Sequence, residues 1–378
     1  MFDLNEFLKN LEIFVNTDSN SYDAVGLNKC VDFLEGLAKE QGLFVKRHHI
    51  AGAPGDYLEI SNRENPDKYD VIMMGHIDTV QPVDYSKIYP YHEEGDLIHG
   101  PGISDMKTST LGMLYIMKEL SQAAKDKLSI GILMNTDEEL SSRYSQNLTR
   151  ELCKKIDLAL IMEGGTNDGR VSIKRKGSVT YKITFHGLAC HAGKLLTHPN
   201  ANALVEMGRW AAELYKLSNK ETGLSVNSGM AHSGHAVNVV PDTAELQVNI
   251  RTTSKEQRIL FENEMKKLAE NPFVEGITVE IETMAKKDPM LPNERTEKYL
   301  KIMQKSCESL GLTMKVNQDM KGGCSDGNIT ANAGVPTLDH IGTNGSGGHK
   351  RIEYTFKNEI DFYIKRMVNF LETLANEI

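Results

Sequence analysis

Apolar residues at helical spacing open the chain. Phe7, Leu8, Leu11 and Phe14, followed by Leu27, Val31, Leu34 and Leu37, predict two amphipathic helices between Asn5 and Gln41. Four short apolar runs of strand length come next: Tyr57 to Ile60, Val71 to Met74, Leu128 to Met134 and Leu158 to Met162. Between the second and third, apolar positions 111, 113, 114, 116, 117 and 120 predict a helix with Ser104 as its N-cap. Strands that alternate with helices predict an α/β domain built on a mixed, largely parallel sheet flanked by helices.

Near Gly177 the period changes. Val179, Tyr181, Ile183 and Phe185 alternate as in a half-buried strand. A helix over about 201–217, strands near 224–231 and 243–252, a helix over about 255–269 and a strand at 277–282 complete the order β-α-β-β-α-β. That order is the ferredoxin-like α+β unit. After Pro292 the alternation resumes, with a helix around 297–310, the loop KGGCSDGN, the apolar stretch VPTLDHI and a terminal helix from about Lys357. The expected organisation is therefore one domain over 1–176 and 286–378, with 177–285 inserted into it. No fixed-period repeat or low-complexity segment interrupts the pattern.

Composition removes several classes of function. A chain of 378 residues exceeds what one core usually serves, which agrees with two domains. Its net charge of -9 opposes a nucleic-acid or membrane-surface partner, since both need a basic footprint. The start MFDLNEFLKNLEIFV lacks the basic-then-apolar layout of a signal peptide, and no apolar run reaches membrane-spanning length; a cytoplasmic protein is expected. The five cysteines, Cys30, Cys153, Cys190, Cys307 and Cys324, form no C-x-x-C pair, so they read as reduced thiols. Any metal chemistry then rests on histidine and carboxylate.

In parallel sheets the reactive residues stand just past the carboxyl ends of strands. Val71–Met74 leads to His76 and Asp78, and Leu128–Met134 leads to Glu138 and Glu139. Leu158–Met162 leads to Glu163, VPTLDHI leads to His349, and Asp105 stands at a predicted helix start. Singly, each has a plain explanation as a solvated loop residue or a helix cap. Together they place two histidines and at least four carboxylates at one rim, and such a set calls for a cationic counter-charge. Imidazole and carboxylate without thiolate suit zinc, with cobalt or manganese as less selective substitutes. The number of ligands suits two ions with a shared ligand, for which Asp105 is the candidate. Asp78, two residues beyond His76, is placed to accept the imidazole N–H that a metal does not use. Of Glu138 and Glu139, one can bind metal while the other acts as general base; their spacing leaves the assignment open.

The motifs MGHIDTV, HGPGISDMKTS, NTDEELSS, HAG, NVVPD…NIR, GGCSDGN and GSGGH occur in this order along nearly the whole chain. In them the chain resembles the dinuclear zinc hydrolases that include glutamate carboxypeptidase, aminoacylase, acetylornithine deacetylase and succinyl-diaminopimelate desuccinylase. The resemblance implies that His76, Asp105 and Glu163 hold one zinc, that Asp105, Glu139 and His349 hold the other, and that Glu138 is the general base. It implies that the inserted unit is a lid that makes a homodimer interface, from which His191 enters the partner's active site. It also implies that Arg251 and Asn238, with Gly323 of the glycine-rich loop, bind the substrate; His186 reads as structural. GPG before Asp105 and glutamate at 163 resemble the glutamate carboxypeptidase branch, whereas MEGG and DMKTS depart from the usual pattern at positions that bear on substrate preference.

The activity expected from the resemblance is hydrolysis of an amide bond that releases a C-terminal, glutamate-like amino acid from an N-acyl or peptidyl partner. The alternatives are a di- or tripeptide aminopeptidase of the same family and a metal-binding relative without catalysis. A nicotinamide-dependent oxidoreductase is disfavoured, because no G-x-G-x-x-G follows a strand.

Overall fold

The computed structural model describes residues 2–165, 170–317, 319–320, 322–350 and 352–378. They form two compact units, one of Met1–Lys174, Met290–Asp319 and Ser325–Ile378, the other of Arg175–Pro289 with Met320–Cys324. Among the described residues no helix is long and apolar enough to cross a membrane.

The first unit is built on a six-stranded sheet in the order Phe44–His48, Tyr57–Ser61, Ile130–Asn135, Val71–His76, Ala159–Ile161, Thr337–Asp339. The first two pairings are antiparallel and the last three parallel, so the strands predicted to carry chemistry all lie in the parallel part. Val71–His76 and Ile130–Asn135 are buried at every position, as strands covered on both faces must be. Parallel register sets His76 beside Asn135 and Met74 beside Ile161, which brings the loops after these strands to one rim.

Helices Leu4–Asn16, Ala24–Glu40, Thr108–Glu119, Thr296–Ser309 and Lys357–Glu377 supply the apolar faces that cover the sheet, with Phe7, Leu34, Leu114, Met303 and Phe370 among the core residues. Asp3 and Asp23 cap the first two, accepting main-chain N–H groups. Lys107 is buried, with its ammonium 3.0 Å from Phe14 O, 2.8 Å from Thr17 O and over the Phe14 ring. Burial pushes its pKa down, while the carbonyls at the end of the first helix satisfy its protons.

Two local expectations are corrected. Ser104 is not an N-cap and Asp105 does not begin an α-helix. Residues Ile103–Lys107 form a separate turn in which Asp105 (φ -127°, ψ 86°) and Met106 leave helical geometry, and the α-helix starts at Thr108 without a side-chain cap. A small antiparallel sheet, Gly345–Ser346, Tyr354–Phe356, Leu97–His99 and His92–Glu94, was not anticipated, because strands of two or three residues carry no readable period.

The second unit is a four-stranded antiparallel sheet in the order Thr278–Lys287, Gly177–His186, Thr243–Thr252, Ser225–Ser233, the ferredoxin-like arrangement. Helices Ala203–Tyr215 and Lys255–Glu270 contribute Met207, Trp210, Phe261 and Met265 to a core with the buried side of the alternating strands. Trp210 is fully enclosed, stands edge-on to Phe185 and donates its indole N–H to the buried Glu206 at 3.0 Å. Trp210→Ala therefore opens a large cavity and removes a donor from a buried carboxylate. We expect a loss of about 3–5 kcal/mol, read as a lower denaturation midpoint of the unit that contains it; an unchanged midpoint would contradict this packing.

Candidate metal centre

The rim of the parallel sheet collects the predicted ligands of the first unit. His76 ends its strand, Glu138 and Glu139 stand in the turn after Asn135, and Glu163 follows Ile161 by two residues. Asp105 comes from the non-helical turn and His349 from the loop after Gly345–Ser346. Gly342 keeps this rim tight: a Cβ there would meet Met162 O at 2.2 Å, Ser109 Oγ at 2.4 Å and Glu163 O at 2.8 Å. Only glycine lets that chain lie against the strand end carrying Glu163.

Asp105 lies between the two histidines. Its Oδ1 is 3.2 Å from His76 Nε2 and its Oδ2 is 3.2 Å from His349 Nε2. Glu139 Oε2 lies 3.0 Å from the same nitrogen of His349, and Glu163 Oε1 lies 3.9 Å from His76 Nε2. Ligand atoms of His76, Glu138 and Glu163 fall within 4.8 Å of one another, as do those of His76, Asp105 and Glu139. These donors, neutral-capable imidazole and carboxylate converging without thiolate, fit divalent metal. The proximity sets bring both Glu138 and Glu139 within reach of His76 and do not separate their roles.

Asp78 meets His76 through its main chain first and through its carboxylate second. His76 Nδ1 is 2.9 Å from the main-chain oxygen of Asp78 and 3.4 Å from its carboxylate. A carbonyl only accepts, so Nδ1 carries hydrogen and Nε2 is the nitrogen that faces Asp105 and Glu163. The fully buried carboxylate also accepts from Glu138 N (3.1 Å), Glu139 N (3.1 Å) and Ser21 Oγ (2.7 Å). Asp78 thus holds the turn that carries both glutamates. The contribution of Ser21, far off in sequence, has no motif to signal it.

The electrostatics of the cluster's own side chains follow from this geometry. Burial alone would lower the pKa of His76, but hydrogen bonds to Asp105 and Asp78 outweigh it and hold the imidazole well above its ordinary value. The carboxylates of Asp105 and Glu139 push His349 up to about 10. Burial opposes ionisation of Asp105, yet the two imidazolium neighbours win and depress its pKa. Glu139 is raised by burial, with His349 pulling the other way.

The predicted substrate residues belong to the second unit. His191 is exposed at the start of a short turn, its Nδ1 accepting from Gly193 N at 3.1 Å. Its loop pairs with that of Asn238, through Ala192 N to Asn238 O and Val240 N to Cys190 O, each 2.8 Å. Arg251 is half-buried at the end of its strand and donates from Nη1 to Cys324 Sγ at 3.6 Å. Gly323, next to Cys324, is exposed, and its oxygen accepts from Arg175. His186 closes its strand 3.8 Å from Glu280. All five cysteines are free thiols.

Comparison with known proteins matches residues 72–373 to the model of peptidase family M20/M25/M40. Carboxypeptidase G2 of Pseudomonas sp. (strain RS-16) is 28% identical over 354 residues, covering 92% of this chain and 84% of that protein. Among solved structures, a tripeptidase from Staphylococcus aureus superposes with a TM-score of 0.76 at 18% identity over 100% of both chains. A metallo-carboxypeptidase from Sulfolobus solfataricus does so with a TM-score of 0.75 at 17% identity, again over 100% of both. At such identities these two likenesses speak for the fold.

A metal held by neutral imidazoles would displace the proton that Asp105 and Glu139 favour on His349. We expect zinc uptake at pH 7 to release protons and apparent affinity to rise with pH, measured by calorimetry in buffers of different ionisation enthalpy; identical heats in all buffers would count against it. The raised pKa also favours the metal-free fold fully below pH 6.5, and this contribution is lost as pH rises toward about 10.

Proposed function

The chain belongs to peptidase family M20/M25/M40, whose members are metal-dependent hydrolases, and from that premise we propose that it is a dinuclear zinc enzyme that hydrolyses an amide bond and releases a C-terminal amino acid, glutamate-like by preference, from an N-acyl or peptidyl substrate. The observation that carries the reading is the position of Asp105, with one carboxylate oxygen toward His76 and the other toward His349. A carboxylate so placed suits a ligand shared by two ions. In this reading His76, Asp105 and Glu163 hold one zinc, and Asp105, Glu139 and His349 hold the other; cobalt or manganese can substitute. When bound, such a pair lowers the pKa of a water and polarises the scissile carbonyl.

The chain's own residues supply the remaining steps. Glu138, with its main chain held by Asp78, takes a proton from the attacking water and hands it to the leaving amine. Arg251, with Asn238 and Gly323, binds the α-carboxylate of the departing residue, for which a guanidinium offers paired donors. His191 hydrogen-bonds the developing oxyanion from the other subunit of a homodimer. The exposed edge strand Ser225–Ser233, where only Val226 is buried, supports a face available to a second copy. The di- or tripeptide aminopeptidase reading keeps its place beside this one because the similar solved folds include a tripeptidase.

The deciding experiment is release of free amino acid by the zinc-loaded protein from N-acyl-glutamate and other N-acyl amino acids, from their C-terminal amides, and from unblocked di- and tripeptides. Cleavage of the acyl compounds with loss on amidation is the expected result. Cleavage confined to unblocked peptides would transfer the protein to the aminopeptidase reading.

Glu138→Ala is expected to lower kcat about a hundred- to ten-thousand-fold while zinc content, measured by elemental analysis, stays at the wild-type value. Joint loss of zinc and activity would make Glu138 a ligand instead. His191→Ala should also be inactive, and mixing the two variants should restore partial activity through hybrid dimers. No recovery after proven subunit exchange would remove His191 from the partner's site.

A further inference from the structure

No sequence motif singles out Glu353, four residues beyond His349, yet its side chain stands where three loops meet. It is buried, with Oε1 accepting from Ser104 N and Asp105 N, both at 2.7 Å. Oε2 accepts from Gly102 N at 2.9 Å and from Gln81 Nε2 at 3.2 Å. Gln81 is itself buried in the loop that runs on from His76 and Asp78, where its main-chain oxygen accepts from Asn20. One carboxylate therefore joins the loop after His76, the turn bearing Asp105 and the hairpin bearing His349.

The hairpin is shaped for this reach. Gly347 has φ +88°, and a Cβ there would lie 2.0 Å from Ile352 O and 3.0 Å from Glu353 Cα. Tyr354–Phe356 pairs with Leu97–His99, the strand that leads into the Gly100–Gly102 approach to Asp105. A buried carboxylate satisfied by amides can simply staple a fold. Here, however, every donor belongs to a loop that carries a candidate ligand, and one of them is the amide of Asp105 itself.

We propose that Glu353 is a positioning residue of the metal centre: its carboxylate holds the main chain of Asp105 in register with the His349 hairpin, so that both Asp105 oxygens face their histidines. This rests on the metal reading given above. Removing such support around a ligand typically costs 10- to 100-fold in metal affinity.

The test compares metal-free wild type, E353Q and E353A. Zinc affinity and stoichiometry are measured by competition with a chromophoric chelator, and folding by circular dichroism and thermal denaturation of the metal-free proteins. E353Q keeps the shape but turns an amide N–H₂ toward N–H donors. It should fold and lose about 10- to 100-fold in zinc affinity, with kcat falling more than KM rises. A folded E353Q that binds two zinc ions with wild-type affinity would overturn the proposal, as would lower thermal stability with zinc affinity unchanged. Since E353A can fail to fold, hydrogen exchange of the metal-free wild type provides a second reading: slow exchange at the Ser104 and Asp105 amides is expected, and exchange at free-peptide rates would overturn the proposal. Failure of the wild type itself to bind zinc would overturn the metal reading, and this inference with it.

Discussion

Asp78, Asp105, Glu138, Glu139, Glu163 and Glu353 bring six carboxyl groups to one end of one sheet, and the surrounding structure is organised by the need to offset that charge. Carboxylates removed from water need hydrogen-bond donors, cations or a proton. The two deepest, Asp78 and Glu353, are supplied by main-chain amides, a serine hydroxyl and the Gln81 amide. Asp105, Glu139 and Glu163 face the imidazoles of His76 and His349. This division separates carboxylates that hold the backbone from those available to a metal.

The backbone holders explain how loops can be precise where strands are not present to guide them. Asp78 supports the Glu138–Glu139 turn across about 60 residues of sequence, and Glu353 supports the Asp105 turn across about 250. Burial pushes Glu353 up to about 7 in spite of its amide donors, and the nearby charge of Asp105 adds to the rise. A cation at Asp105 would relieve that repulsion, so metal and support reinforce each other.

The second unit follows a different physical rule. Its sheet has one face covered by two helices, so Gly177–His186 and Thr243–Thr252 alternate, whereas Val71–His76 and Ile130–Asn135 of the first unit are buried at every position. Arg251 and the paired His191 and Asn238 loops stand at strand ends and turns of this scaffold, where side chains can be exposed without disturbing a core.

Much of this was legible in the chain. Four short apolar runs marked four of the six strands of the first sheet, while the exposed edge strand Phe44–His48 went unread; the alternation from Val179 to Phe185 marked the change of architecture, and placing chemistry after parallel strands pointed to His76, Glu138, Glu139 and Glu163. These features are local, since burial on one face or both repeats along a strand and shows as a period. What the sequence could not determine are pairings between distant groups. The Asp105 turn looked like a helix start because Ser104 is a good capping residue, but the main chain there is instead held by Glu353. Asp78 was marked by its distance from His76, while further partners of its carboxylate came from the Glu138–Glu139 turn and from Ser21. By itself the sequence determined which residue types stand after which strands; only the tertiary structure decided which oxygen meets which donor, because hydrogen bonds select partners by distance and direction in space and leave no period along the chain.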